Sequence, residues 1–66
     1  MKNSLKVERA IRNITQEELA REIGVTRQAI NSIELGKFVP STVLALRLSK
    51  FFDKPVNDLF SLEEGD

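Results

Sequence analysis

The 66-residue chain contains no cysteine, histidine, tryptophan or tyrosine. Without cysteine there are no disulfides and no thiolate metal sites, so stability must come from packing. Without histidine or cysteine, no side chain can activate a serine in the usual triad manner or attack as a thiolate. No glycine-rich phosphate loop is present, and the acidic residues lack metal-ligand spacing such as that of an EF-hand loop. No enzymatic activity, metal or cofactor is therefore expected. No apolar run approaches the ~20 residues that cross a bilayer. The opening Met1-Lys2-Asn3-Ser4 leads into charged sequence rather than the apolar stretch of a signal peptide. A cytoplasmic protein with no membrane partner is expected, which a cysteine-free composition suits.

A surplus of charge is also missing: ten Lys and Arg balance ten Asp and Glu. That argues against a nucleic-acid partner, which usually calls for a basic excess. The distribution softens the objection. Residues 1–38 carry seven basic against five acidic side chains, and residues 39–66 carry three against five. The chain reads as one domain, residues 1–66, with an ordinary apolar fraction of 41%. A chain this short buries roughly 60% of its unfolded surface. It shows no repeat, linker or low-complexity segment.

Apolar spacing reads as helix almost throughout. In the first helix Val7, Ala10, Ile11 and Ile14 share one face, Lys6, Glu8, Arg9 and Arg12 point elsewhere, and Asn13 closes it. Leu5 falls on the opposite side, and Ser4-Leu5-Lys6-Val7 also suits a short extended entry that contacts a partner subunit. Thr15-Gln16-Glu17-Glu18 is a capping box. It opens a second helix that buries Leu19, Ala20 and Ile23 and ends at Gly24. Thr26 caps a third helix from Arg27 to about Leu35, which Gly36 stops. The short turn Gly24-Val25-Thr26 forces a sharp crossing of helices two and three. Ser41 caps a fourth helix, residues 42–52, with Leu44, Ala45, Leu48 and Phe52 inward. Pro55 begins a short fifth helix through Phe60, and residues 61–66 read as a frayed acidic tail.

The third helix has the most informative surface. At ~100° per residue, Arg27, Gln28, Asn31 and Ser32 share one side, while Ala29, Ile30 and Ile33 share the other. Any surface helix has a polar outer face. This one carries no carboxylate on that side, lies directly after a glycine turn, and offers side chains able to bond base edges in a major groove. Arginine suits guanine, and glutamine or asparagine suits adenine.

The run Thr15-Gln16-Glu17-Glu18-Leu19-Ala20, Gly24-Val25-Thr26-Arg27-Gln28-Ala29-Ile30, Ile33-Glu34-Leu35-Gly36-Lys37 and Pro40-Ser41 resembles the Cro/phage-repressor type of helix-turn-helix, the Xre family. The match continues through Leu44-Ala45 to Leu59-Phe60. The resemblance implies an all-α, compact five-helix lambda-repressor-like domain, with its helix-turn-helix at helices two and three. It implies a transcriptional regulator, expected to be a repressor, that binds double-stranded DNA at an operator. Arg27, Gln28 and Ser32 match base-contacting positions, with Asn31 between them. Gln16 matches a phosphate contact, and Thr26, at the start of the recognition helix, is expected to make another. Lys37, with backbone amides near Gly36 and Phe38, matches a loop that clasps a phosphate. Such contacts position a protein on DNA without reading it. Arg9 and Glu34 match an ion pair that ties helix one to helix three.

The pattern departs from the family at four positions. Asp53 stands for the usual glycine after helix four, Lys54 for an apolar residue, and Thr42 for a common leucine. Leu35 stands where the family often has asparagine, a backbone contact that a leucine side chain lacks the polar group to make. A homodimer is expected, because two-fold operators call for two-fold proteins. Leu5, Val43, Leu46, Phe51, Val56 and Leu62 are the candidate interface residues. No small-molecule effector is expected, since 66 residues leave no room for a separate effector domain. The competing reading is a protein-interaction or antitoxin-like module on the same scaffold, which zero net charge and the acidic tail favour slightly.

Overall fold

In the computed structural model, which describes residues 1–66, three hydroxyl side chains start the three central helices. Thr15 Oγ1 accepts from the Glu18 N–H, Thr26 Oγ1 from Ala29 and Ser41 Oγ from Leu44, at 3.0–3.1 Å. The Glu18 carboxylate returns a bond to the Thr15 N–H at 3.0 Å and completes the capping box. These caps satisfy amides that have no partner inside a helix. The elements are β1 (Lys2–Asn3), α1 (Leu5–Arg12), α2 (Gln16–Ile23), α3 (Arg27–Glu34), α4 (Thr42–Phe52), α5 (Val56–Leu59) and β2 (Phe60–Ser61). The protein is an all-α, five-helix domain with one small strand pair.

Three helices close on a residue in the left-handed conformation: Asn13 (φ 56°), Gly24 (φ 76°) and Asp53 (φ 54°). Asp53 thus does the geometric work of the family's usual glycine, which aspartate tolerates better than most side chains. The core is one cluster: Leu5, Leu19, Ala20, Ile23, Ile30, Ile33, Leu44, Leu48, Phe52, Leu59 and Phe60. It forms where α2, α3, α4 and α5 converge on the amino-terminal turn of α1.

At the two ends of the chain the structure corrects the sequence reading in three places. First, α1 is turned the other way round. Val7, Ala10 and Ile11 are exposed, while Leu5 is fully buried, so Leu5 is no interface residue. Only Ile14 of the expected face packs on the core. The inward side is instead Leu5, Glu8, Arg9 and Arg12, because each charged residue there meets a distant partner. Second, the extended entry is β1, immediately before Ser4, and Leu5–Val7 are helical. It pairs antiparallel with β2, with Lys2 opposite Ser61 and Asn3 opposite Phe60. Third, the fifth helix stops at Leu59 instead of running through Phe60, and the chain turns back toward its beginning. Ser61 lies in the strand pair, and the Met1 ammonium meets Glu63 at 3.3 Å and Asp66 at 3.1 Å.

Candidate nucleic-acid interface

Gly24 lets the chain leave α2 at positive φ, and Thr26 restarts it as α3 two residues later. Ile30 and Ile33 are buried and Ala29 is half-buried. This anchors α3 by one face and leaves Arg27, Gln28 and Asn31 exposed, with Ser32 half-buried beside them. The first turn of α3 contains no acid. The four sequence-predicted base readers therefore lie on one uncharged-to-cationic surface.

A hydrogen-bonded network holds this surface from behind. Arg9 donates from Nε to Glu34 Oε2 at 2.6 Å and from Nη2 to Glu34 Oε1 at 2.9 Å, a two-pronged ion pair between α1 and the end of α3. Its Nη1 donates to the Ile14 carbonyl at 3.1 Å, fixing the approach to α2. Gln16 Nε2 lies 3.1 Å from both Glu34 Oε1 and Asn31 Oδ1. The network thus runs from α1 through Glu34 and Gln16 to a residue of the exposed α3 face. Burial pushes the Glu34 carboxyl up, but the bonds from Arg9 and Gln16, with the charges of Arg9 and Lys6, outweigh it and hold the group below the ordinary carboxylate range.

The amino-terminus of α2 lies next to this face. Arg9, Ile14, Thr15, Gln16, Glu17 and Arg27 line one shallow cleft. The first two amides of α2, those of Gln16 and Glu17, have no partner within the helix, and the helix dipole is positive there. Helix N-termini of this kind suit phosphate oxygens. Thr26 Oγ1 accepts from Ala29, which leaves its hydroxyl proton free to donate outward.

The loop after α3 differs from expectation. The Gly36 N–H donates to the Ile33 carbonyl at 3.0 Å and the Lys37 N–H to the Ser32 carbonyl at 2.9 Å, closing the helix end. The Gly36 amide, expected at a phosphate, is thus committed inside the protein. Gly36 holds a positive φ of 76°, a turning role at the end of α3. The Lys37 side chain and Phe38 remain exposed.

Two groups escaped sequence reasoning. Asn3 donates from Nδ2 to the Ile33 carbonyl at 2.8 Å and accepts from the Leu5 N–H, so β1 secures the end of α3. Glu8 is buried and meets Lys54 Nζ at 2.7 Å and Arg12 Nη1 at 2.9 Å. Arg12 also donates from Nη2 to the Phe52 carbonyl at 2.6 Å and lies over the Phe52 ring. The departure at Lys54 was the available signal: a lysine in an apolar position calls for a carboxylate partner.

The remaining interface candidates separate. Leu46 and Val56 line a groove with Met1, Val39, Pro40, Thr42, Ala45 and Phe60, and Val56 and Leu62 line an adjoining hollow. Val43 is exposed one helical turn before Leu46. Phe51 sits apart, edge-on to Phe52 and beside Glu22, Ile23, Arg47 and Lys50.

Comparison with known proteins covers nearly the whole chain. Residues 5–59 match the family described as helix-turn-helix. An uncharacterized HTH-type transcriptional regulator of Methanocaldococcus jannaschii is 48% identical over 66 residues, covering the whole of both chains. The uncharacterized HTH-type transcriptional regulator YgzD of Bacillus subtilis is 47% identical over 64 residues, 97% of each chain. The HTH-type transcriptional activator BcrR of Enterococcus faecalis is 42% identical over 53 residues, 80% of this chain and 26% of BcrR.

Proposed function

Since this chain belongs to the Cro/phage-repressor type, or Xre, family of helix-turn-helix DNA-binding transcription regulators, we propose that it reads a specific operator by laying α3 in the major groove. The observation that supports this most is the acid-free exposed face of Arg27, Gln28, Asn31 and Ser32, set beside the open N-terminus of α2. Arg27 and Gln28 lie in the first turn of the helix, where side chains reach base edges in such docking. Gln16, Thr26, the Lys37 side chain and Phe38 are the backbone anchors of the reading. The committed Gly36 amide is not among them.

Bulk electrostatics contribute little to a chain of zero net charge. Binding therefore depends on fit and on a second copy. The pairing surface of the reading is the apolar face of Val43, Leu46, Val56 and Leu62, without Leu5 and without Phe51. Two copies would place two α3 helices on an inverted repeat, about 34–36 Å apart along the duplex. Occupying such a site represses by exclusion. The likeness to a protein named an activator supports a second reading of sign, in which the bound domain recruits. A reporter carrying the operator decides between them: deletion of the protein raises expression in the first case and lowers it in the second.

Titration of duplex DNA at several salt concentrations tests the proposal. A linear fall of log affinity with log salt is expected. Absence of duplex binding at low salt would overturn it.

A further inference from the structure

The Glu34 carboxylate does more than tie α1 to α3. Both of its oxygens accept from Arg9, at 2.6 and 2.9 Å. Burial pushes the group up, but the bonds from Arg9 and Gln16 keep it below the ordinary carboxylate range, so it is ionised at neutral pH. An ionised carboxylate can only accept. The side-chain amide of Gln16, 3.1 Å from Glu34 Oε1, therefore turns its amino group and not its carbonyl toward Glu34.

The same Gln16 Nε2 lies 3.1 Å from Asn31 on the exposed face of α3. A donor in that place calls for an acceptor, so the Asn31 amide turns its Oδ1 to Gln16. Its Nδ2, with two N–H donors, is the group left for a ligand. The direction of this last bond is thus set from the protein interior, through Arg9, Glu34 and Gln16 in turn.

An asparagine on a recognition helix ordinarily pairs with adenine, donating to N7 and accepting from N6. That pairing needs the amide oxygen as well as the nitrogen. With its oxygen turned to Gln16, Asn31 offers donors only. In the major groove guanine presents two neighbouring acceptors, N7 and O6, whereas adenine sets the N6 donor beside its one acceptor. Resting on the reading of α3 as the recognition helix, we propose that Asn31 selects guanine rather than adenine, with Gln16 and Glu34 as the positioning residues that fix this choice.

The test starts from the duplex that the wild type selects from a random pool. The base pair whose preference disappears in Asn31→Ala is the one Asn31 faces. Guanine is expected there, favoured over adenine about tenfold. Replacing it with 7-deazaguanine, which lacks the N7 acceptor, should weaken binding by the wild type but not by Asn31→Ala. Asn31→Asp keeps the bond from Gln16 and offers an acceptor outward, so the preference should pass from guanine to cytosine, whose N4 donates. Gln16→Ala frees the Asn31 amide to turn. Adenine should then gain severalfold on guanine at this pair, with preferences at the pairs read by Arg27 and Gln28 unchanged. Neither Gln16 nor Asn31 belongs to the core, and both variants should keep the wild-type helix content. Adenine favoured over guanine at this pair, Asn31→Ala acting on every pair alike or on none, or a guanine-to-adenine ratio that Gln16→Ala leaves unchanged would overturn the proposal and spare the reading of α3. A pool that yields no common sequence would overturn both.

Discussion

The side-chain amide of Gln16, at the first position of α2, donates to Asn31 Oδ1 on α3 at 3.1 Å. One bond thus joins a proposed phosphate anchor to a proposed base reader. Gln16→Ala is expected to weaken binding to all duplex sequences by a similar factor, because phosphate contacts carry no base information. It also releases Asn31, so a small added change in preference is confined to the base pair Asn31 faces. Affinities for one operator and several single-base variants, measured with both proteins, check this. A loss that varies widely across positions would assign Gln16 a different role.

The ion pair behind that bond sets the second expectation. Arg9 and Glu34 are mostly buried and doubly bonded, at 2.6 and 2.9 Å. Removing one partner leaves the other charge uncompensated, and Glu34→Ala should cost about 3 kcal/mol in urea unfolding. Replacing both, Arg9→Met with Glu34→Leu, should recover much of that loss. A cost for Glu34→Ala below about 1 kcal/mol would show that the pair is no more than a surface bridge.

Acid should act through the same groups. The Glu34 carboxyl is held below its ordinary value of 4.5 by Arg9 and Gln16 against the opposing effect of burial. Glu8 is also held below 4.5, first by its bond to Lys54 and then, against burial, by Arg12. A carboxyl with a lowered native value contributes stability that is present above 4.5 and lost as pH falls through the native value. Unfolding free energy should therefore be steady at mildly acid pH and decline below about pH 4.5. Glu34→Gln should flatten that decline. A wild-type profile flat down to pH 3 would contradict the assignment.

Much of this fold can be read locally. Thr15, Thr26 and Ser41 cap their helices through amides three residues away, and Gly24 and Asn13 close theirs by positive φ. Such short-range chemistry leaves a pattern within one helical turn. The orientation of α1 leaves none, because Arg9 and Glu8 meet partners 25 and 46 residues away. Apolar periodicity alone then selects the wrong face. The two-residue strands are too short to show alternation. In the candidate site, the outward position of Arg27, Gln28 and Asn31 follows from their spacing, whereas the Gly36 amide could not be assigned without knowing that the Ile33 carbonyl takes it.

Dimerisation is expected to rest on α4 and the segment after it. Leu46 is 57% exposed and lines the apolar groove with Val56. Leu46→Glu should leave helix content intact and shift the protein to monomer in sedimentation. It should weaken binding to an inverted repeat far more than to a half-site. An unchanged sedimentation profile would place the pairing surface elsewhere.

Selection from a random pool of duplex DNA, run in parallel with the wild type, Arg27→Ala and Gln28→Ala, bears most directly on sequence reading by α3. The wild type should enrich a short inverted repeat. Each variant should lose preference at its own base positions, by about 1–3 kcal/mol, and keep it at the others. Enrichment of no common sequence by the wild type, or the same motif retained by both variants, would contradict reading by this helix.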